Sequence, residues 1–254
     1  MGSTHQDLAI ASIDIGATSI KVARVSPEGR LLDPVRRLET PYPCTPEGLL
    51  RVVTDEILRT QCSRAAVGFP GDMDSGRVLE PGNLSRAGGI STPIDPEIDA
   101  AWTGFDIEGE LRERTGLDVR VVNDATLAAY GYHGGVGREL VVTLGTGFGI
   151  SLFVDGEWMK IRDVGAAPFH GWGSYDEVGG EPARVANEIL WRERILVAVI
   201  EFAREFRADS VHVGGGNARF FTEGDFSDYH LPVELNNNEG TLAGAARLFR
   251  SRFV

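Results

Sequence analysis

One hairpin occurs twice in this chain. Ile13–Val25 and Val142–Val154 overlay with a single constant offset, Gly16 falling on Gly145 and Val25 on Val154. Each copy reads as two apolar strands joined by a turn of small residues, Gly16-Ala17-Thr18 in the first and Gly145-Thr146-Gly147 in the second. A second match follows in the same order. Ala65–Phe69 runs into Pro70-Gly71, and Val211–Val213 runs into Gly214-Gly215-Gly216. Repeated strand-hairpin, helix, strand and glycine turn predict a duplicated α/β fold of two lobes with a cleft between them. A chain of 254 residues has ample core for this arrangement.

Between these landmarks, Leu8–Ile15 and Ser19–Val25 are predicted strands and Arg30–Thr40 a third. Thr45 opens a helix whose Leu49, Leu50, Val53, Ile57 and Leu58 share one face. Pro81–Pro96 reads as a long loop, and Phe105–Arg114 as a helix stopped by Gly116. Glu139–Leu144 and Gly149–Val154 are the strands of the second hairpin, followed by an Asp155-Gly156 turn. Glu181–Phe206 reads as one long helix with Val185, Ile189, Val199 and Ile200 in the core. Thr241–Phe249 is a last helix after the loop Asn236-Asn237-Asn238. The expected lobes are residues 1–118, with a C-terminal helix of about 241–254 packing back on them, and residues 119–240.

At the head of the second lobe stands Val119-Arg120-Val121-Val122-Asn123-Asp124-Ala125. The valines predict a short buried strand, and Ala125–Tyr132 a helix. A carboxylate where such a strand ends is placed for chemistry in an α/β fold. Asp is also a good N-cap, and the stretch alone favours that role. The glycine turns reverse the balance. Small residues in a tight turn let backbone N–H groups approach an anion. Asp14 can hold Mg²⁺ through water, Thr18 can bond a phosphate oxygen, and Lys21 lies on the same hairpin. Gly16 and its counterparts Gly145, Thr146 and Gly147 are thus candidate phosphate-binding residues. Phosphoryl transfer needs positioning, charge neutralisation and a base for the acceptor hydroxyl. Asp124 is the candidate base, and Gly214, Gly215 and Gly216 would let a nucleotide lie flat against backbone.

Composition narrows the partners. The formal net charge is −12, which argues against general affinity for nucleic acid or anionic membrane. Cys44 and Cys62 have no metal-ligand spacing and fit a reducing compartment. No apolar run approaches membrane-spanning length and Met1–Asp7 is polar, so the expected setting is cytoplasmic.

These motifs resemble the ROK family of sugar kinases, within the actin-like ATPase (ribonuclease H-like) fold, and most closely its shorter polyphosphate glucokinase branch. Ile13–Lys21 resembles the first phosphate motif, Val67-Gly68-Phe69-Pro70-Gly71 the connecting strand, and Pro81-Gly82-Asn83-Leu84 the sugar loop. Val121–Ala125 resembles the catalytic segment, Leu144–Gly149 the second phosphate motif, and Val213–Gly216 the adenosine motif. Leu235-Asn236-Asn237 before Gly244-Ala245-Ala246 is similar to the family's ending. The resemblance implies that Asp124 deprotonates a sugar hydroxyl, commonly the 6-hydroxyl, while Asn83, Asn123 and Asp124 hold the sugar. It also implies Mg²⁺, ATP or polyphosphate as donor, and a homodimer.

Two departures stand out. The family's cysteine-rich zinc motif is absent, as it is from the polyphosphate branch, so no zinc is expected. Where the family has Glu-Xaa-Gly-His holding the sugar, this chain reads Asp163-Val164-Gly165-Ala166. Asp163 offers a shorter reach, Ala166 offers no polar side chain, and His170 four residues on is the candidate substitute. The leading expectation is a kinase for glucose or a related hexose. The alternatives are the same machinery acting on another hexose, an amino sugar or a cyclitol, or a weakly catalytic sugar- or nucleotide-binding regulator. Family regulators carry a helix-turn-helix ahead of the first strand, and a strand starting by Leu8 leaves no room for one. Arg24, Arg30, Arg36 and Arg37 could line a groove for polyphosphate.

Overall fold

The computed structural model describes residues 8–89, 92–161, 164–227, 231–236 and 240–250. They group into two compact units, one reaching Gly131 and including Thr241–Arg250, the other Tyr132–Gly240.

In chain order the first unit contributes β1 (Ile10–Ile15), β2 (Ser19–Val25), β3 (Arg36–Glu39), α1 (Pro46–Arg59) and β4 (Arg64–Phe69). The hairpin β5 (Asp72–Asp74) and β6 (Arg77–Glu80) follows, then α2 (Pro96–Trp102), α3 (Ile107–Thr115), β7 (Asp118–Asn123) and α4 (Asp124–Tyr132). The sheet runs β3-β2-β1-β4-β7. β1 is buried at every position because it has a strand on either side, antiparallel β2 and parallel β4. Its sequence is accordingly mostly apolar, with Ser12 and Asp14 its two polar positions, where a half-exposed strand would alternate. Leu49, Leu50, Val53 and Ile57 of α1 close one face of that core, and Trp102 of α2 is fully buried in it. Side chains of Thr45, Asp95 and Asp106 cap α1, α2 and α3, and Gly116 ends α3 in the left-handed conformation.

The second unit contains β8 (Arg138–Leu144), β9 (Phe148–Val154), β10 (Glu157–Met159), α5 (Tyr175–Gly179), α6 (Glu181–Ala186), α7 (Glu188–Glu205), β11 (Ser210–Gly214) and β12 (Val233–Leu235). Its sheet runs β10-β9-β8-β11-β12. Both sheets have the same succession across the sheet: antiparallel, antiparallel, parallel, parallel. The overlaid hairpins are β1–β2 and β8–β9. The last helix, α8 (Gly240–Leu248), packs through Gly244 on α4, where a methyl would stand 2.0 Å from the Leu127 carbonyl oxygen.

Several expectations are corrected. β7, expected to open the second lobe, pairs with β4 in the first sheet. The third strand covers only Arg36–Glu39. Pro96 begins a helix instead of ending a loop, because Asp95 caps it and Pro is at home in a first turn. The expected long helix breaks at Asn187, whose side chain caps α7 on the Leu190 N–H. The break leaves Val185 and Ile189 at 69% and 75% exposure, not in the core, while Val199 is buried. Leu58 is likewise exposed, at the end of α1. Among the described residues no helix is long and apolar enough to cross a membrane.

Candidate active site

Across the first sheet, Lys21, Asp14, Gly68 and Val122 form one row of register partners on β2, β1, β4 and β7. Lys21 Nζ donates to Asp14 Oδ2 at 2.7 Å, and both residues sit where their strands meet the first glycine turn. Asp124 follows β7 and is the first residue of α4. Its Cα lies directly over Gly68: a methyl there would stand 3.1 Å from that atom and 3.1 Å from Leu127 Cδ2. The row therefore brings Asp14 and Asp124 to the same sheet end, with Gly68 as the spacer that has no side chain.

The helix cap is Asn123, not Asp124. Asn123 Oδ1 accepts from the Thr126 N–H at 3.1 Å, while Asn123 Nδ2 donates to the Gly71 carbonyl at 2.9 Å. Asp124 Oδ1 accepts the adjacent Ala125 N–H, at 2.8 Å. Desolvation, with the Asp14 carboxylate adding to it, pushes the Asp124 carboxyl up to about 7 against the Ala125 N–H and Lys21. A base poised near neutrality is what proton abstraction from an alcohol requires.

The turns share a construction. In the first, Gly16 N–H closes on the Ser19 carbonyl at 2.9 Å. Its outward carbonyls are taken by the protein, Gly16 O by Thr40 Oγ1 at 2.6 Å and Ala17 O by Tyr42 Oη at 2.8 Å. In the second, Gly145 N–H closes on Gly147 O at 3.1 Å, and the Gly145 carbonyl accepts from Asn217 Nδ2 and Glu181 N–H. Carbonyls turned into the protein leave Ala17, Thr18, Thr146 and Gly147 with no protein acceptor for their N–H groups among the described residues. Such a nest of amides suits phosphate oxygens. Gly145 also faces open space, whereas Gly147 is packed against Asp176, which accepts the Phe148 N–H at 2.8 Å.

Internal packing alone accounts for two of the three glycines at the end of β11 expected to face a nucleotide. A methyl on Gly214 would stand 2.1 Å from the Tyr132 ring, and one on Gly215 2.3 Å from the Leu144 carbonyl oxygen. The loop around Asn83 is locked similarly. Gly82 (φ +56°) and Gly71 have no room for a methyl beside Pro70 O and Glu80 O. Asn83 Oδ1 accepts from Arg86 Nε at 2.8 Å, and Tyr42 Oη reaches the Asn83 carbonyl at 3.4 Å. Tyr42 thus ties the first glycine turn to the loop that carries Asn83.

His170 lies on an exposed turn at φ +51°, its Nε2 2.8 and 3.0 Å from the Glu201 carboxylate oxygens, packed against Trp172. Asp163 falls outside the described residues. Arg24, Arg30 and Arg36 pair with Asp33, Glu28 and Glu56, so three of the four arginines suggested for a polyphosphate groove are engaged with carboxylates. Tyr42, Arg86, Asn217 and Asp176 had no motif to announce them. A tyrosine or arginine in a Pro- and Gly-rich loop shows its partners only once the chain is folded.

The fit to Mg²⁺ rests on Asp14, whose Oδ2 is held by Lys21 and whose Oδ1 takes no described hydrogen bond. Magnesium needs few protein ligands when phosphates and water complete its shell. Among the described residues no group of three or more His, Cys, Asp or Glu could hold a metal ion.

Residues 10–171 match the ROK family. The chain belongs to the ROK family. Among ROK relatives it is 30% identical over 173 residues to the glucokinase of Thermotoga maritima, covering 64% of this chain and 50% of that one. It is 31% identical over 156 residues to the N-acetylmannosamine kinase of Citrobacter koseri, covering 59% and 49%. The chain spans about half the length of the curated relatives it matches. Its structure is similar to the inorganic polyphosphate/ATP-glucomannokinase of Arthrobacter sp. strain KM, with a TM-score of 0.75, 25% identity, and 95% and 99% of the two chains covered. A ROK glucokinase from Streptomyces griseus, in complex with glucose and AMPPNP, shares the fold at a TM-score of 0.68 and 19% identity, with 94% and 98% covered.

Proposed function

We propose that this protein transfers a phosphoryl group from ATP or polyphosphate to a hydroxyl, the 6-hydroxyl in the first instance, of glucose or a related hexose. The observation that carries the reading is Asp124, free of the capping role, set over Gly68 beside Asp14 and held near neutrality. Asn83, Asn123 and Asp124 hold the acceptor in this reading. As the acceptor oxygen bonds to phosphorus, Asp124 takes its proton and the bond from phosphorus to the donor's leaving oxygen breaks. The amides of the first turn, with Thr18 and Lys21, serve the transferring phosphate. Gly145, Thr146 and Gly147 serve the donor, with Gly214, Gly215 and Gly216 beside them if it is a nucleotide. Mg²⁺ at Asp14 supplies neutralisation of phosphate charge. Asp163, and His170 were it released from Glu201, would be the further acceptor contacts in this reading.

Likeness to the Arthrobacter glucomannokinase, whose donors are polyphosphate and ATP, supports keeping both donors. Family likeness supports a homodimer. Two buried, unpaired cysteines, with Cys44 pushed up to about 12 by burial, support a cytoplasmic setting. Net charge of −12 supports small-molecule partners over nucleic acid. Ala166 favours a second reading with the same machinery, a different polyol as acceptor. The test is phosphoryl transfer with Mg²⁺, each donor separately, against glucose, mannose, amino sugars and cyclitols. Glucose turnover supports the first reading, and turnover on another polyol only supports the second. Silence on all of them with sugar still bound supports a regulator.

A further inference from the structure

We infer that Tyr42 is a positioning residue, whose hydroxyl sets the separation between the transferring phosphate and the acceptor hydroxyl. The inference rests on the reading just given, that the first glycine turn takes that phosphate and Asn83 lies on the acceptor side.

Every carbonyl of the turn Gly16-Ala17-Thr18 is held from one short segment of the first unit. Thr40 Oγ1 donates to Gly16 O at 2.6 Å, Thr40 N–H to Thr18 O at 3.2 Å, and Tyr42 Oη to Ala17 O at 2.8 Å. Tyr42 also reaches the loop that carries Asn83. Its Oη lies 3.4 Å from the Asn83 carbonyl, and its ring packs beside Gly89, where a methyl would stand 3.7 Å from Cε2. Asn83 is fastened in turn to Arg86, Oδ1 accepting from Nε at 2.8 Å and the carbonyl from the Arg86 N–H at 3.3 Å. Arg86 Nη1 donates to the Thr92 carbonyl at 2.5 Å. A chain of bonds therefore runs from Ala17 through the Tyr42 hydroxyl to Asn83 and Arg86.

A phenol has one hydrogen to donate. Here it goes to the Ala17 carbonyl, the nearer of the two, with the Asn83 carbonyl as its second acceptor. Burial holds the phenol above its ordinary value of 10.0, so the hydrogen is present at neutral pH. One oxygen atom on a stiff ring thus spaces the turn from the Asn83 loop. Phosphoryl transfer depends on the distance and alignment of the acceptor oxygen and phosphorus more than on covalent chemistry from the protein. Each half-site is also fastened on its own account, the turn by Thr40 and the Asn83 loop by Arg86. Loss of the phenol oxygen therefore leaves both half-sites standing and frees their separation. The signature is a fall in kcat without a matching rise in either KM.

Steady-state kinetics of Tyr42→Phe test this, with the best acceptor of the panel above and the donor each varied at saturation of the other. The expected result is a kcat lower by about tenfold or more, with both KM values within about twofold of wild type. Thr40→Val, whose lost hydroxyl bonds the turn and not the Asn83 loop, is expected instead to raise the donor KM. At position 42, 4-aminophenylalanine keeps an N–H for Ala17 and is expected to recover most of the lost kcat. The similarly sized 4-methylphenylalanine has no donor and is expected not to. Unchanged kcat in Tyr42→Phe overturns the inference, even where denaturant unfolding shows a loss of stability, since that is the mark of a merely structural phenol. A rise in KM that accounts for the whole loss of kcat/KM also overturns it, as does the same kcat loss at unchanged KM in Thr40→Val. Should Tyr42→Phe fail to fold, the amino and methyl analogues decide between them. All of these outcomes leave the kinase reading standing, because wild type turns over. No transfer by wild type to any acceptor, with Asp124→Asn indistinguishable from it, overturns both.

Discussion

Lys21 and Asp14 face each other across β1 and β2, Nζ 2.7 Å from Oδ2, in the same residue row as the glycine that seats Asp124. They act on Asp124 with opposite sign, Asp14 raising its carboxyl and Lys21 lowering it. Asp124 serves as a base only when ionised, so kcat/KM is expected to rise with pH through about 7. Lys21→Met leaves Asp14 uncompensated and is expected to move that midpoint up. Asp14→Asn is expected to move it down. The check is the pH profile of kcat/KM, with carbon NMR titration of the Asp124 carboxyl as a readout independent of turnover.

The raised carboxyl also sets a stability signature. Between the ordinary value of 3.8 and about 7, the unfolded chain has released the Asp124 proton and the folded chain still holds it. Stability from this group is therefore full below 3.8 and lost as pH rises through that window. Asp124→Asn removes the penalty. Its stability gain over wild type is expected to grow from pH 4 to 7 and then level off, at up to about 4 kcal/mol. Denaturant unfolding of both proteins at each pH measures it.

Gly68→Ala tests the seat itself. The new methyl meets the Asp124 backbone and Leu127 at 3.1 Å, too close without a shift. A cost of about 1–3 kcal/mol in stability is expected, typical of overpacking. Turnover is expected to fall roughly tenfold or more, since small displacements of a base are costly. Thermal unfolding and initial rates on the same preparation separate the two effects.

Glu139, at the far end of the second sheet, is a purely structural counterpart. It is 2% exposed, and its oxygens accept from the N–H groups of Gly134, Gly135 and Val136 and contact His212 Nε2 at 2.9 Å. Burial pushes its carboxyl up, but the amides and His212 outweigh that and hold it below the usual range. Its contribution is present above the ordinary value of 4.5 and lost as pH falls through the lower folded value. Glu139→Gln forces an NH₂ group against backbone donors and is expected to cost about 3 kcal/mol at neutral pH. The deficit is expected to shrink in acid, as chemical denaturation at pH 7 and 3.5 would show.

Strands, hairpins and glycine turns were legible in the sequence because their signals are local. Buried β1 is a mostly apolar stretch broken only at Ser12 and Asp14, and Gly68 stands in a motif whose spacing survives without coordinates. What escaped was decided by contacts between distant residues. Val185 and Ile189 have helical spacing, yet the Asn187 cap breaks the helix and exposes them. Asn123 and Asp124 are adjacent and both able to cap, and the Gly71 carbonyl that fixes Asn123 lies 52 residues away in sequence. Tyr42 and Arg86 gained meaning only when Ala17 and Asn83 were found against them.

In the proposed reaction Asp124 accepts the proton of a sugar hydroxyl as the phosphoryl group is transferred. Its most direct test follows labelled phosphate from ATP or polyphosphate into sugar, with wild type and Asp124→Asn at equal concentration and sugar binding measured alongside. The expected result is transfer by wild type and a loss of roughly a thousandfold or more in the variant, with the sugar still bound. Equal transfer by a well-folded Asp124→Asn would contradict it.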